Sequence, residues 1–172
     1  VAINAVRNLN KKYNKRVYTL DIYGPIDPSY EPRFLNLINA NKESVKYKGI
    51  IPHDKSVEII KEYFMLLFPT YYSGEGFAGT LLDALAAGVP ILASNWKYNG
   101  EIVHDGKVGL LYDVSKPEEL EQKLEMVFKN PKVVLDMKSN CLKEYEKFDP
   151  ERVISLFIKL IEEIRTRGKK IS

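Results

Sequence analysis

Three glycines, Gly74, Gly76 and Gly79, fall within six positions between an apolar run that ends at Pro69 and a helix-forming run that begins near Thr80. Glycine lets a backbone approach a ligand closely, and the first amides of a helix have no partner inside it. The N–H groups of Phe77, Ala78, Gly79 and Thr80 would therefore face a bound group with the positive end of the helix dipole behind them. That arrangement suits an anion, and a phosphate above all. Two carboxylates frame it, Glu75 and Asp83, eight residues apart. On one continuous helix they would stand ~12 Å apart, about the span from a sugar to a ribose across a diphosphate. Each carboxylate would accept hydroxyl hydrogen bonds at one end of such a molecule, giving orientation as well as affinity.

These residues need a scaffold, and short strands alternating with helices supply one. Val1, Ile3, Ala5, Val6 and Leu9 repeat at helical intervals with no capping residue before them, so an upstream segment is expected. Arg16 to Tyr23 reads as a strand stopped by Gly24-Pro25, Arg33 to Asn41 as a helix, Ser44 to Lys48 as a strand, and Asp54 to Tyr63 as a helix capped by Asp54. Tyr63 to Pro69 is apolar almost throughout, as in a strand covered on both faces. After the loop from Thr70 to Gly76 comes a helix to about Ala87, ended by Gly88. Val89 to Ser94 is a buried strand, Glu101 to Val103 a short helix, and Gly106 to Tyr112 a turn and strand. Pro117 to Lys129 is an amphipathic helix with an acidic first turn, and two helices, about 131–145 and 150–165, finish the chain. The expected fold class is α/β, one Rossmann-like domain over 1–172 with a parallel sheet sandwiched by helices. Such sheets bind ligands beyond the C-terminal ends of their strands, so the loops after Tyr23, Lys48, Pro69 and Ser94 should line one crevice.

Composition narrows the function classes. With 26 Lys+Arg against 23 Asp+Glu the net charge is +3, too small and too evenly spread to indicate a nucleic-acid partner. Basic residues gather at Lys11, Lys12, Lys15 and Arg16, and again at Arg165, Arg167, Lys169 and Lys170. They read as a solvated helix end and a frayed basic tail, with contact to an anionic membrane surface or to a missing domain as the alternative. One cysteine, Cys141, makes no internal disulfide and reads as a small core residue. No apolar run reaches the ~18 residues of a membrane span. These features favour a cytoplasmic protein, peripheral at most to the inner face of a membrane.

The run Glu75-Gly76-Phe77-Ala78-Gly79-Thr80-Leu81-Leu82-Asp83-Ala84-Leu85-Ala86-Ala87-Gly88-Val89-Pro90 resembles the Glu-x7-Glu signature of retaining glycosyltransferases with the two-domain GT-B architecture. Within them it is similar to the group acting in capsular polysaccharide, lipopolysaccharide and glycolipid assembly. The order Gly100-Glu101-Ile102-Val103, then Asp105-Gly106-Lys107-Val108-Gly109-Leu110-Leu111, follows the same family. The resemblance implies that this chain is the C-terminal, donor-binding half, with a nucleotide sugar as ligand. It implies that Glu75 binds donor-sugar hydroxyls as the candidate catalytic residue, with Gly74 and Gly76 to Thr80 at the sugar and phosphate. Asp83 would then hold the ribose, while Gly24, Pro25, Ile50 and Ile51 border the base. The reaction implied is transfer of the sugar to an acceptor hydroxyl with retention, without a metal or other cofactor, the acceptor glycan or glycolipid being held by an N-terminal domain. Two departures stand out. The second Glu of the signature is Asp83 here, one methylene shorter, and the Arg and Lys that the family places after its first strand would precede Val1, so the chain alone is expected to bind donor weakly without turnover.

Other readings stand beside these. The glycines could make a tight strand-to-helix turn with no ligand, and Glu101 could cap a helix as well as touch one. His53 and His104 read as solvent-facing, and two histidines with one cysteine form no metal cluster. Trp96 could pack on a base or sugar, or in the core. A GT-B-fold nucleotide-sugar epimerase and a non-catalytic glycosyltransferase-like partner subunit are the alternative functions.

Overall fold

The structure is a computed structural model that describes residues 1–168; Lys169 and Lys170 of the basic tail lie outside the described residues. In chain order it runs α1 (Ala2–Lys12), β1 (Leu20–Ile22), α2 (Glu31–Ala40), β2 (Val45–Tyr47), α3 (Ser56–Ile60), β3 (Leu66–Phe68), α4 (Gly79–Ala86), β4 (Ile91–Ser94), α5 (Asn99–Ile102), β5 (Gly109–Tyr112), α6 (Glu118–Lys129), α7 (Lys132–Leu135), α8 (Lys138–Tyr145) and α9 (Pro150–Gly168). Single 3-10 turns cover His53–Lys55 and Glu146–Phe148. None of these helices is long and apolar enough to cross a membrane.

All strand pairs are parallel. β3, β4 and β5 form one sheet with β4 in the middle, in register Leu66↔Ile91↔Gly109 and Phe68↔Ala93↔Leu111. Every residue of β4 is buried, and alternation divides them between two layers. Ile91 and Ala93 face a core with Leu81, Ala84 and Leu85 of α4 and Ile102 of α5. Leu92 faces the opposite core, where Ala5 and Leu9 of α1 meet Leu120, Leu124 and Val127 of α6. The positions 120, 124 and 127 share one helical face, which is why the amphipathic pattern of α6 docks as it does. Gly109 lets β5 approach β4, since a Cβ there would lie 2.2 Å from the Ile91 carbonyl oxygen.

The one parallel sheet expected from the sequence is found in two pieces. β1 pairs only with β2, Leu20↔Val45 to Ile22↔Tyr47, and a cleft of about 630 Å³ separates β1 from β3. The cleft explains why β3 is half-buried instead of covered on both faces, because its outer edge looks onto Leu20 and Asp21 with no strand between. The Tyr63 hydroxyl spans the gap, donating to Asp21 Oδ2 at 2.8 Å and lying 2.7 Å from the Tyr23 hydroxyl. Burial, then the bonds to Tyr23 and Asp21, push the Tyr63 phenol well above its ordinary pKa.

Three local expectations change. The helix assigned to 54–63 is a 3-10 turn followed by five residues of α3, and no side chain caps either, so Asp54 is not an N-cap. The helix assigned to 131–145 is divided into α7 and α8 at Asp136 and Met137, where Met137 turns into the core. The last helix reaches Gly168 and stands off the body, with Val153, Phe157 and Ile164 exposed. Gly88 has the left-handed φ of +67° expected of a residue that ends a helix.

Candidate functional site

The loop from Pro69 to Ala78 joins the C-terminal end of β3 to α4, and its course is fixed by hydrogen bonds to its neighbours. Ser94, fully buried at the end of β4, donates its hydroxyl to the Thr70 carbonyl oxygen. The Tyr72 carbonyl accepts from the Glu75 amide at 3.1 Å and from Trp96 Nε1 at 2.8 Å. Trp96 thus fastens the loop after β4 to the loop after β3, a role that neither core packing nor stacking on a ligand had suggested. The Thr70 hydroxyl donates to Glu75 Oε2 at 3.1 Å. Glu75 is half-buried at the foot of this loop, with Oε1 free of any hydrogen bond among the described residues.

α4 begins at Gly79, four residues after Glu75. The two carboxylates are therefore not a pair spaced along one helix: Asp83 sits one turn into α4 and Glu75 on the loop before it. The glycines explain the difference, since Gly74 and Gly76 weigh against helix in the intervening segment. Ala78 enters α4 with an extended backbone, ψ 105°, and no side chain caps the helix. Among the described residues the amides of Gly76, Phe77, Ala78, Gly79 and Thr80 make no hydrogen bond with the chain, and Leu81 is the first to bond back, to the Ala78 carbonyl. A Cβ built at Gly76 or Gly79 would meet nothing within 4 Å, and neither residue has a left-handed φ. Nothing in the chain itself requires glycine at those two positions; the space in front of them is open. Gly74 differs, because a Cβ there would come within 2.8 Å of the Tyr72 ring. The Phe77 ring touches Phe148, with centroids 5.7 Å apart, but stays exposed, and its amide makes no hydrogen bond among the described residues.

At the other end, Asp83 Oδ2 accepts the Ser56 hydroxyl at 2.7 Å, a partner that sequence reading had missed. The only sequence signal for it is a serine at the start of a helix. Gly24 and Gly49 both have left-handed φ, and the Gly24 amide donates to the Gly49 carbonyl at 2.9 Å, which brings the loops after β1 and β2 side by side. The Tyr47 hydroxyl then donates to the Gly24 carbonyl at 2.8 Å. Gly24 and Pro25 border a small hollow of about 130 Å³ floored by Phe34 and Tyr47. Ile50 is exposed beside these loops, whereas Ile51 turns into the cleft between the sheets. Neither Glu75, Asp83 nor the glycine loop lines that cleft.

Glu101 is exposed in the four-residue α5 and makes no capping hydrogen bond. His104 is not simply solvent-facing: its Nε2 lies 3.2 Å from Oε1 of the buried Glu144. Lys107 Nζ is 2.8 Å from Glu144 Oε2 and Lys147 pairs with Oε1. Burial would raise the Glu144 pKa, but hydrogen bonds from Lys107 and Lys147 outweigh it and hold the carboxyl at about 2. Cys141 is buried with its thiol 3.3 Å from the Val108 carbonyl, and burial pushes its pKa up to about 11. It is the small core residue expected. No group of three His, Cys, Asp or Glu side chains among the described residues is placed to hold a metal ion.

Comparison with known proteins places the fold and the family. The profile of the family described as glycosyl transferases group 1 matches residues 1–144. A relative from Campylobacter jejuni, N,N'-diacetylbacillosaminyl-diphospho-undecaprenol alpha-1,3-N-acetylgalactosaminyltransferase, is 23% identical over 133 residues, covering 77% of this chain and 34% of its own length. The chain spans about a third of the length of this and two further curated relatives, 32% and 36% for the others. Among solved structures, the pneumococcal O-GlcNAc transferase GtfA in complex with UDP and GlcNAc superposes with a TM-score of 0.70 at 21% identity, over 95% of this chain and 32% of that one. Anabaena Alr3699/HepE in complex with UDP-glucose gives 0.69 at 13% identity, over 95% and 53%. The folds agree, and the sequence profile agrees over most of the length: this chain belongs to the glycosyl transferases group 1 family.

Proposed function

We propose that residues 1–172 form the donor-binding half of a retaining glycosyltransferase, which transfers a sugar from a nucleotide diphosphate donor to an acceptor hydroxyl. The observation that carries this reading is the row of unpaired amides from Gly76 to Thr80, above open space, at the positive end of α4. A diphosphate placed there has its charge met by oriented N–H groups that need no rearrangement as the leaving group forms. Glu75, on the near side, accepts donor-sugar hydroxyls through its free Oε1. Asp83, one turn further on, accepts ribose hydroxyls through the oxygen that Ser56 does not occupy. Gly24, Pro25 and Ile50 border the base, and Glu101, exposed after β4, is available to the sugar or phosphate. Ile51, which also lines the cleft between the sheets, completes the base-bordering set.

In this reading the diphosphate is neutralised by amides and basic side chains and not by a metal. The acceptor is a glycan or glycolipid of polysaccharide or lipopolysaccharide assembly. A lipid-linked acceptor is supported by the Campylobacter relative, whose name specifies an undecaprenol-linked substrate. Peripheral attachment at the inner face of a membrane follows from such an acceptor.

The test is titration calorimetry of the 172-residue chain with uridine, guanosine and adenosine diphosphate sugars, each with and without EDTA. Binding of at least one donor, unaffected by EDTA, is the expected result. A folded sample that binds none at millimolar donor overturns the assignment, and binding abolished by EDTA overturns its metal-free form.

A further inference from the structure

The residues that hold Glu75 form a chain of hydrogen bonds reaching into the core. Asn99 is 1% exposed, and its Nδ2 donates to the Ser94 carbonyl at 3.1 Å. Ser94 is 0% exposed, and its hydroxyl donates to the Thr70 carbonyl. The Thr70 hydroxyl accepts the Tyr72 amide at 3.2 Å and donates to Glu75 Oε2 at 3.1 Å. A hydroxyl has one proton. The Tyr72 N–H can only donate to Thr70 Oγ1 and the carboxylate can only accept, so that proton goes to Glu75 Oε2.

We propose that Thr70 is a positioning residue that aims Glu75 at the donor sugar, and that Ser94 and Asn99 transmit the rigidity of β4 to it. The inference rests on the assignment of Glu75 to the sugar. Every residue of β4 is buried, and Ser94 at its end bonds the Thr70 backbone while the Thr70 side chain bonds Glu75, so the carboxylate is registered against the core through Thr70 and not merely against its own loop. Holding Oε2 leaves Oε1 as the acceptor for substrate. A carboxylate on a glycine-flanked loop, without this bond, would sample several rotamers, and each sugar bound would first have to order it.

Thr70→Val keeps the shape and removes the hydroxyl; Thr70→Ser restores it. Side-chain couplings of Glu75 measured by NMR on the free chain report its rotamers without any ligand. One dominant rotamer is expected in the parent and in Thr70→Ser, and averaging in Thr70→Val. Binding of UDP-N-acetylglucosamine and of UDP is then compared by calorimetry, with Glu75→Gln as reference. The expected result is about a tenfold loss for the sugar nucleotide in Thr70→Val, with UDP unchanged and Thr70→Ser close to the parent. A single Glu75 rotamer in Thr70→Val overturns the positioning role even if binding changes. If Glu75→Gln binds the sugar nucleotide as the parent does while Thr70→Val shows averaged couplings, the positioning stands and the assignment of Glu75 to the sugar fails.

Discussion

The Ser56 hydroxyl and Asp83 Oδ2 are 2.7 Å apart, which ties the carboxylate at the proposed ribose end to the first residue of α3. The same hydroxyl oxygen lies 3.1 Å from the His53 carbonyl, but its one proton goes to the closer, charged acceptor. Asp83 is thus held between two helices before any nucleotide arrives. In Ser56→Ala this hold is lost and affinity for a nucleoside diphosphate that binds the parent is expected to fall about three- to tenfold, roughly the worth of one hydrogen bond. Asp83→Ala is expected to fall further, and thermal stability of Ser56→Ala to drop by about 1 kcal/mol. Calorimetry with UDP on the two variants reads both effects; equal affinities for parent and Ser56→Ala would show that the tether does not matter to binding.

Gly76, Gly79 and Gly109 look alike in sequence and are expected to respond in opposite ways to alanine. At 76 and 79 an added Cβ meets nothing of the protein. Gly76→Ala and Gly79→Ala are expected to fold normally, the latter with up to ~1 kcal/mol of added stability from helix propensity, and to lose donor affinity by tenfold or more as the methyl enters the phosphate space. At 109 the Cβ would collide with the Ile91 carbonyl, so Gly109→Ala is expected to lose ~1–3 kcal/mol or to fail to fold. Denaturation and donor titration on the three proteins separate ligand clearance from strand packing. Undiminished donor binding by both Gly76→Ala and Gly79→Ala would place the phosphate elsewhere.

The contrast shows what could be read before folding. The glycine loop, the helix after it and its end at Gly88 were legible because local backbone rules set them. The pairing of Ser56 with Asp83, 27 residues apart, was not, because only the docking of α3 on α4 creates it. The single helix from which the ~12 Å spacing of the carboxylates was reckoned is not found for a related reason: α4 starts only at Gly79, after Glu75 and Gly76. Strand positions were recovered from apolar runs. The division of the sheet between β1 and β3 was invisible to such runs, since periodicity tells which residues are strand and not which strands meet.

Glu144 makes stability depend on acid pH. Hydrogen bonds from Lys107 and Lys147 outweigh burial and hold its carboxyl at about 2, below the ordinary 4.5. A depressed carboxyl pKa contributes stability that is fully present above the unfolded value and is lost as pH falls toward the folded one, here between about pH 4.5 and 2. The charge-neutral Glu144→Gln leaves His104, Lys107 and Lys147 without their shared partner. It is expected to cost about 2–3 kcal/mol near neutral pH, below the full penalty for a broken buried pair because the cations reach water. Urea denaturation from pH 7 to 3 checks this: the gap between parent and variant is expected to narrow as pH falls, and a constant gap would remove the charge of Glu144 as its cause.

The long α9 contributes nothing to either core cluster, yet Val153, Phe157, Leu160 and Ile164 recur at three- and four-residue intervals and are all exposed. Such a stripe on a helix is the pattern of a face that packs on something. Its contacts with the body run mainly to the 3-10 turn at Glu146–Phe148, so removing the residues from Pro150 onward should leave the melting temperature within ~2 °C of the parent, equivalent to about 0.5–1 kcal/mol for a domain of this size. The same deletion should sharply reduce binding of a dye that reports exposed apolar surface. A large fall in melting temperature would mean that α9 folds back onto the body in solution, and its apolar stripe would then belong to the core of this chain.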